Sequence, residues 1–216
     1  MKTILKNYKE KFGDISNDFI ERFIGLLTEL NFNKKDFEKL QKSIKKVSNL
    51  KWEKHQFIFY LEPCATPRAR GNFRTKIFYV KDASKYKKIF DTFINSIKEY
   101  EIITTPTKLH LEMFFKTPTS MNKIEKVLSE LKFISMISKP DWDNAGKTYS
   151  DMIQKTLVLD DCLITESSVK KFYSVKPRIE VTVEFLTTYD CKYNKRKVES
   201  WSTYLENELR EKDSII

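Results

Sequence analysis

Aspartates crowd one short stretch of this sequence, Lys139–Leu163, which reads KPDWDNAGKTYSDMIQKTLVLDDCL. Asp141 and Asp143 stand on either side of a tryptophan, and Asp160 and Asp161 follow an apolar run. Carboxylates repel one another and are rarely buried without a partner, so their grouping needs a cause. Such oxygen ligands suit Mg²⁺, which binds through one or two carboxylates together with substrate phosphate.

The same stretch predicts the helix that would position the first group of side chains. Pro140 suits the first helical turn, and Asp141 and Asp143 suit the N-terminus, where the helix dipole favours negative charge. Steps of four residues from Asp143 reach Lys147 and Asp151, so these three side chains share one face. We expect Asp151 to orient Lys147.

A turn after this helix is predicted to bring the second pair of aspartates back to it. Leu157–Leu159 is apolar and should return to the core, after which Asp160 and Asp161 emerge at the surface. Acidic side chains from two turns would then meet beside Lys147, whose charge offsets theirs or holds a phosphate oxygen. Two structural explanations remain open: Asp-x-Asp can cap a helix, and Asp-Asp can form a turn.

The full motif resembles the signature of the RusA family of Holliday-junction resolvases. It comprises Lys139, Pro140, Asp141, Asp143, Asn144, Lys147, Asp151, Asp160 and Asp161. The likeness runs roughly from Trp52 to Thr187 and includes Pro67-Arg68-Ala69-Arg70 and Thr117–Ser120. One departure is Ala145-Gly146, where the family usually has a bulky apolar residue after the asparagine. We expect looser helix packing there.

The resemblance implies a Mg²⁺-dependent endodeoxyribonuclease, with Mn²⁺ as a possible substitute, that resolves four-way junctions or other branched DNA in recombination and repair. It implies that Asp141, Asp143 and Asp161 are catalytic and hold the metal, with Asp160 replacing or joining Asp161. Lys147 would stabilise the scissile phosphate or orient the attacking water. The resemblance also implies a homodimer, because a two-fold enzyme matches a pseudo-symmetric junction.

Cationic side chains outside the acidic stretch are candidates for DNA contact. A loop expected over Glu62–Thr75 contains Arg68, Arg70 and Arg74, and guanidinium groups can bind phosphates bidentately. Lys170 and Lys171, near the end of a later strand, are also expected to follow the DNA backbone. The chain has 40 Lys+Arg against 30 Asp+Glu, a formal charge of +10, which fits a polyanionic partner.

Composition excludes several other classes of protein. Cys64, Cys162 and Cys191 are scattered and lack the spacing of a zinc site. No apolar run reaches the length of a membrane span, and the N-terminus lacks the apolar core of a signal peptide. We therefore expect a cytoplasmic protein without membrane contact. Lysines far outnumber arginines, which favours a bacterial or phage origin.

Periodicity predicts an α+β protein with a small mixed sheet packed against helices. Residues 1–50 should form a helical hairpin, which is available for DNA or protein contact. Residues 51–190 should form the RusA-like domain, and residues 191–216 a basic connector and a final helix. Two alternative functions remain: a non-catalytic module that binds branched DNA or protein, and a metal nuclease that cuts flaps or nicked duplex.

Overall fold

The computed structural model describes residues 1–65, 69–72, 77–80, 83–97, 99–154 and 156–187. Chain contacts separate two compact units, Met1–Lys51 and Trp52–Ile216. The connector and final helix predicted for residues 191–216 lie outside the described residues. Within the described ranges, no helix is both long enough and apolar enough to cross a membrane.

The first unit contains α1 (Lys2–Phe12), α2 (Asn17–Glu29) and α3 (Lys34–Ser48). Local capping begins the last two, since the Ser16 side chain accepts from the Phe19 N–H and Asn33 forms a capping box with Asp36. These two helices lie in the segment for which a helical hairpin was predicted. Helix α1 was not predicted separately, although the Tyr8 ring lies 4.8 Å from that of Phe12 and 4.5 Å from that of Phe19.

The second unit combines strands and helices, which confirms the α+β prediction. Its strands are β1 (Trp52–Phe59), β2 (Ala69–Asn72), β3 (Ile77–Val80), β4 (Thr107–Lys116), β5 (Ile164–Ser174) and β6 (Arg178–Leu186). Its helices are α4 (Ala83–Ile97), α5 (Lys123–Glu130) and α6 (Trp142–Ile153), with a 3₁₀ turn at Asp161–Leu163. Strands β2 and β3 form a hairpin, so the loop expected over Glu62–Thr75 is partly strand.

The main sheet has the strand order β1-β6-β4-β5. Strands β4 and β5 run parallel, and the other neighbouring pairs are antiparallel. Parallel neighbours need a crossover connection, and here it contains α5 and α6. The acidic helix therefore lies in the segment that joins two adjacent strands.

Alternation along the strands gives the sheet two different faces. Buried apolar side chains of the strands occupy one face, among them Leu109, Leu111, Met113, Ile179, Val181 and Val183. They form the core together with helix residues, which include Phe93 of α4 and Tyr149 and Met152 of α6. The opposite face carries ion pairs, such as Glu112 with Lys132 at 2.8 Å and Lys108 with Glu166 at 2.7 Å. Partial burial acts to raise the Glu112 pKa, but Lys132 and Lys170 outweigh it and lower that pKa.

Helix α6 approaches β5 closely because it carries Gly146. A Cβ atom on Gly146 would lie 2.8 Å from Val169 Cγ2, closer than non-bonded carbons tolerate. Both Ala145 and Gly146 are buried. The looser packing expected at this departure from the family motif was therefore wrong, because the small residues let the helix and strand come together.

Gly146→Ala should destabilise the second unit although alanine favours helix. The gain in helix propensity is about 1 kcal/mol, whereas overpacking against the stiff Val169 side chain costs about 1–3 kcal/mol. Chemical denaturation measures the net change. Adding Val169→Ala should remove the clash, and the double variant should lose less stability than the two single changes together.

Gly25→Ala is the matched control, since Gly25 is also within a helix and nothing lies within 4 Å of its added Cβ. This control should not destabilise the protein. A gain in stability from Gly146→Ala as large as that from Gly25→Ala would contradict close packing of α6 on β5.

Candidate active site

A cleft of about 300 Å³ lies between α6 and strands β4 and β5. It is lined by Leu109, Leu111, Trp142, Asp143, Gly146, Lys147, Ser150, Asp161, Ile164, Ser167 and Val169. Leu109 and Leu111 are buried, whereas the charged side chains that line the cleft are exposed. The cleft thus combines an apolar base with carboxylates and an amine that solvent can reach.

Two separate elements supply the charged groups of the cleft. Asp143 and Lys147 are one turn apart on α6, and Asp161 begins the 3₁₀ turn before β5. The buried run between them is pinned to Ile103, whose N–H donates to the Leu157 carbonyl at 2.8 Å and whose carbonyl accepts from the Leu159 N–H at 3.0 Å. This return of the chain places Asp161 beside the acidic helix.

Asp141 is the N-cap residue of α6, but its side chain makes no capping hydrogen bond. The capping explanation for the Asp-x-Asp pair is therefore not realised at this residue. Asp141 is exposed and adjoins the cleft in sequence, although it does not line it. Its carboxylate remains available to a ligand.

The donor set of the cleft fits a hard divalent cation. Among the described residues, no three His, Cys, Asp or Glu side chains are close enough to form a metal site by themselves. The three-carboxylate cluster expected from the sequence is therefore not preassembled. Mg²⁺ usually needs only one or two carboxylates, with water and substrate phosphate as its other ligands. Asp143 and Asp161 meet that requirement.

The two neighbouring aspartates of the turn have different environments. Asp160 is half-buried, and its Oδ1 accepts from the Cys162 N–H at 2.9 Å, so it caps the 3₁₀ turn. Asp161 is exposed and lines the cleft. Asp151 is exposed outside the cleft, and the structure shows no ion pair between it and Lys147. The orienting role expected for Asp151 is thus not seen.

The cations predicted to contact DNA are dispersed. Arg68 and Arg74 lie outside the described residues, and Arg70 belongs to β2, of which only the backbone is described. Lys170 lies on the opposite sheet face, since the cleft is lined by Ser167 and Val169 and strand side chains alternate. Its Nζ is 3.5 Å from a Glu112 carboxylate oxygen.

Lys171 points to the α6 side of the sheet and binds backbone atoms. Its Nζ donates to the Ser138 carbonyl at 2.9 Å and to the Pro140 carbonyl at 2.7 Å. These carbonyls immediately precede Asp141, so the ammonium fixes the entry to α6. The sequence indicated only that Lys171 is cationic, and the backbone contacts depend on the fold.

Tyr149 connects α6 to the chain that follows β1. The ring is fully buried, and its hydroxyl oxygen accepts from the Cys64 N–H at 3.2 Å. Burial raises the Tyr149 pKa, which keeps the hydroxyl neutral. This contact ties the start of the arginine-bearing segment to the acidic helix. No signal in the sequence indicated this partner of Tyr149.

Comparison with known proteins agrees with the motif. The family model described as Endodeoxyribonuclease RusA matches residues 61–184. A relative from Bacillus subtilis strain 168, the uncharacterised protein YqaN, is 32% identical over 133 residues, which is 59% of this chain and 94% of the relative.

Lys171→Met should weaken any activity of the cleft by releasing the entry to α6, and should lower stability by about 1.5–3 kcal/mol, as expected for hydrogen bonds to a charged group. DNA affinity measured against salt separates this role from a phosphate contact. Loss of a phosphate contact would reduce the slope of log affinity against log salt by about 1. We expect that slope to stay unchanged.

Lys170→Met is the control on the opposite face and should leave stability nearly unaltered, since exposed ion pairs contribute little. Lys171→Arg should retain part of the activity, because a guanidinium can also donate to carbonyls. A reduced salt slope with unaltered stability in Lys171→Met would identify Lys171 as a DNA contact instead.

Proposed function

The chain belongs to the RusA family of endodeoxyribonucleases, and we propose from this premise that it cuts Holliday junctions with Mg²⁺ bound at the α6 cleft. Membership of the family indicates a nuclease that acts on branched DNA. We propose in addition the identity of the metal and the residues that hold it. Mn²⁺ is the expected substitute, since both ions accept oxygen ligands in octahedral geometry.

The meeting of Asp143, Asp161 and Lys147 in one cleft carries this proposal. These side chains come from two elements, and the structure shows no ion pair or hydrogen bond between them and other described residues. A role in helix capping or in an ion pair would instead give these side chains a partner within the protein. Their availability supports a site that receives its cation and its phosphate from outside.

The side chains of the cleft have distinct proposed roles. Asp143 and Asp161 would hold the cation, and Asp141 would offer a further carboxylate at the rim of the cleft. Lys147, one turn from Asp143, holds a non-bridging oxygen of the scissile phosphate. Asp160 supports Asp161 by capping its turn. A divalent cation bound there supplies an activated water and stabilises charge on the phosphoryl group.

The net charge of the cleft favours binding of the cation before binding of the phosphate. Asp141, Asp143 and Asp161 outnumber Lys147, so the empty cleft repels a phosphodiester. A cation held by these carboxylates would offset the repulsion, and Lys147 would attract the phosphate. Binding to DNA elsewhere on the surface should weaken as salt rises, because phosphate contacts release counterions.

Asp143→Asn should lower cleavage of a four-way junction by at least about a hundredfold, since even the outer partners of metal ligands contribute roughly 10- to 100-fold. Junction binding should persist or tighten, because the change removes a negative charge. The measurement pairs a gel-shift with a cleavage assay on the same junction, with Mg²⁺ and with a chelator.

Asp151→Asn is the matched control, being an exposed aspartate of the same helix outside the cleft, and it should cut normally. Junction binding without Mg²⁺-dependent cleavage by the unaltered protein would instead indicate a binding module. Faster cleavage of flaps or nicked duplex than of the junction would reassign the substrate.

The proposal includes a homodimer, in which two clefts address the two-fold-related strands of a junction. Helix α5 supports it, because this helix docks on its own unit through polar groups. Ser129 is buried, and Glu130 accepts from the Ser174 hydroxyl at 2.8 Å and the Val175 N–H at 2.6 Å. Its apolar residues remain exposed: Ile124, Val127, Leu128 and Leu131. A second copy would cover this stripe.

Val127→Glu combined with Leu131→Glu should convert a dimer into monomers, because charges would be buried at the shared face. Light scattering after gel filtration measures the mass. Lys123→Glu, on the same helix, is the control and should leave the mass unchanged. A dimer that survives the double change would exclude α5 as the contact.

A further inference from the structure

Trp142 is a large aromatic residue among the charged side chains of the cleft. It is the first residue of α6, its side chain is 64% exposed, and it lines the cleft together with Asp143 and Asp161. Its ring makes no aromatic or cation contact within the described part of the chain. An indole in this position contributes little to the folded protein itself.

We propose that Trp142 stacks on a nucleobase next to the scissile phosphate and so helps to select where the strand is cut. This inference rests on the proposed nuclease function and adds a specificity-determining residue to it. Aromatic side chains bind unpaired bases through their faces. The crossover of a branched junction offers bases whose stacking is already interrupted, so their exposure costs less.

The residues on either side of Trp142 favour a nucleotide over an apolar protein surface. Asp141 and Asp143 are its chain neighbours and are both exposed. A protein surface that covered the indole would also desolvate these carboxylates, which is costly without paired cations. A nucleotide instead places its base on the ring and its phosphate at the cleft, where Lys147 lies.

Position within the helix also fits this assignment. The N-terminus of a helix favours anions, and Asp141 does not occupy the first-turn N–H groups of α6. Asp143 and Lys147 lie in the first two turns of α6, so a strand that contacts both lies near this N-terminus. Trp142 is therefore where the nucleotide adjoining the scissile phosphate would lie.

The direct test uses fluorescence of Trp142 alone. The chain has three tryptophans, so Trp52→Phe and Trp201→Phe leave Trp142 as the single indole, and Asp143→Asn prevents cleavage. Addition of a four-way junction should quench the emission, because a stacked base is in van der Waals contact with the ring. A junction that binds in a gel-shift without changing the emission would overturn the stacking contact.

The partner base is identified by a cycle of paired changes. In the Asp143→Asn protein, Trp142→Ala should weaken junction binding by about 5- to 150-fold, the range for loss of one stacked base, and Trp142→Phe should retain most of it. An abasic nucleotide at the contacted position should weaken binding by the protein with Trp142 and have no further effect on Trp142→Ala. Absence of such coupling at every position near the cut would overturn the proposal.

Cleavage mapping completes the test in the protein with Asp143 intact. Trp142→Ala should spread the cuts over neighbouring phosphates, whereas Trp52→Ala, an exposed tryptophan of β1 outside the cleft, should leave the pattern unchanged. Unchanged cut positions in Trp142→Ala would contradict a role in selection. Failure of the unaltered protein to bind or cut any junction would instead refute the nuclease function on which the inference rests.

Discussion

Asp143 and Asp161 repel each other, and the fold holds them in the same cleft despite that repulsion. Packing supplies the opposing force, since α6 lies against β5 with Gly146 on Val169 and buries Ala145, Tyr149 and Met152 completely. Burial of apolar side chains contributes about 1.5–3 kcal/mol each, whereas two exposed carboxylates in water repel each other by only about 1 kcal/mol even at about 4 Å. The packing of helix on strand can therefore hold both carboxylates in one cleft.

Hydrogen bonds to the backbone then set the direction of the acidic helix. Lys171 donates hydrogen bonds to the carbonyls of Ser138 and Pro140 just before the helix begins. The Tyr149 hydroxyl accepts a hydrogen bond from the N–H of Cys64, in the chain that follows β1. Both contacts link distant parts of the sequence. The first joins β5 to the start of α6, and the second joins α6 to the arginine-bearing segment. A catalytic group must be held to within a fraction of an ångström, and such contacts provide that restraint.

The two faces of the sheet carry different kinds of side chain. The α6 face contains the core and the cleft, whereas the other face carries paired charges such as Glu112 with Lys132 and Arg178 with Glu180. In each pair the two opposite charges offset each other. Asp143, Lys147 and Asp161 line the cleft without such ion pairs within the part of the chain that the structure describes, so they can take partners from outside the protein.

Local signals in the sequence determined most of the secondary structure and the identity of the chemistry. Alternation along β4 and β6, helical spacing in α2, α4 and α6, and the caps Ser16, Asn33 and Asn122 depend only on near neighbours, so they can be predicted from the chain. The Lys-Pro-Asp-x-Asp-Asn motif likewise indicated the family, which the family model confirms.

Only the tertiary structure decided which of these groups meet. Asp160 and Asp161 are equivalent in the sequence, yet one caps the 3₁₀ turn and the other lines the cleft. Lys170 and Lys171 are adjacent cations, yet strand alternation sends them to opposite faces of the sheet. The looseness expected at Gly146 was also reversed, because Val169 packs there. Each outcome depends on how distant segments pack, and local sequence does not encode that arrangement residue by residue.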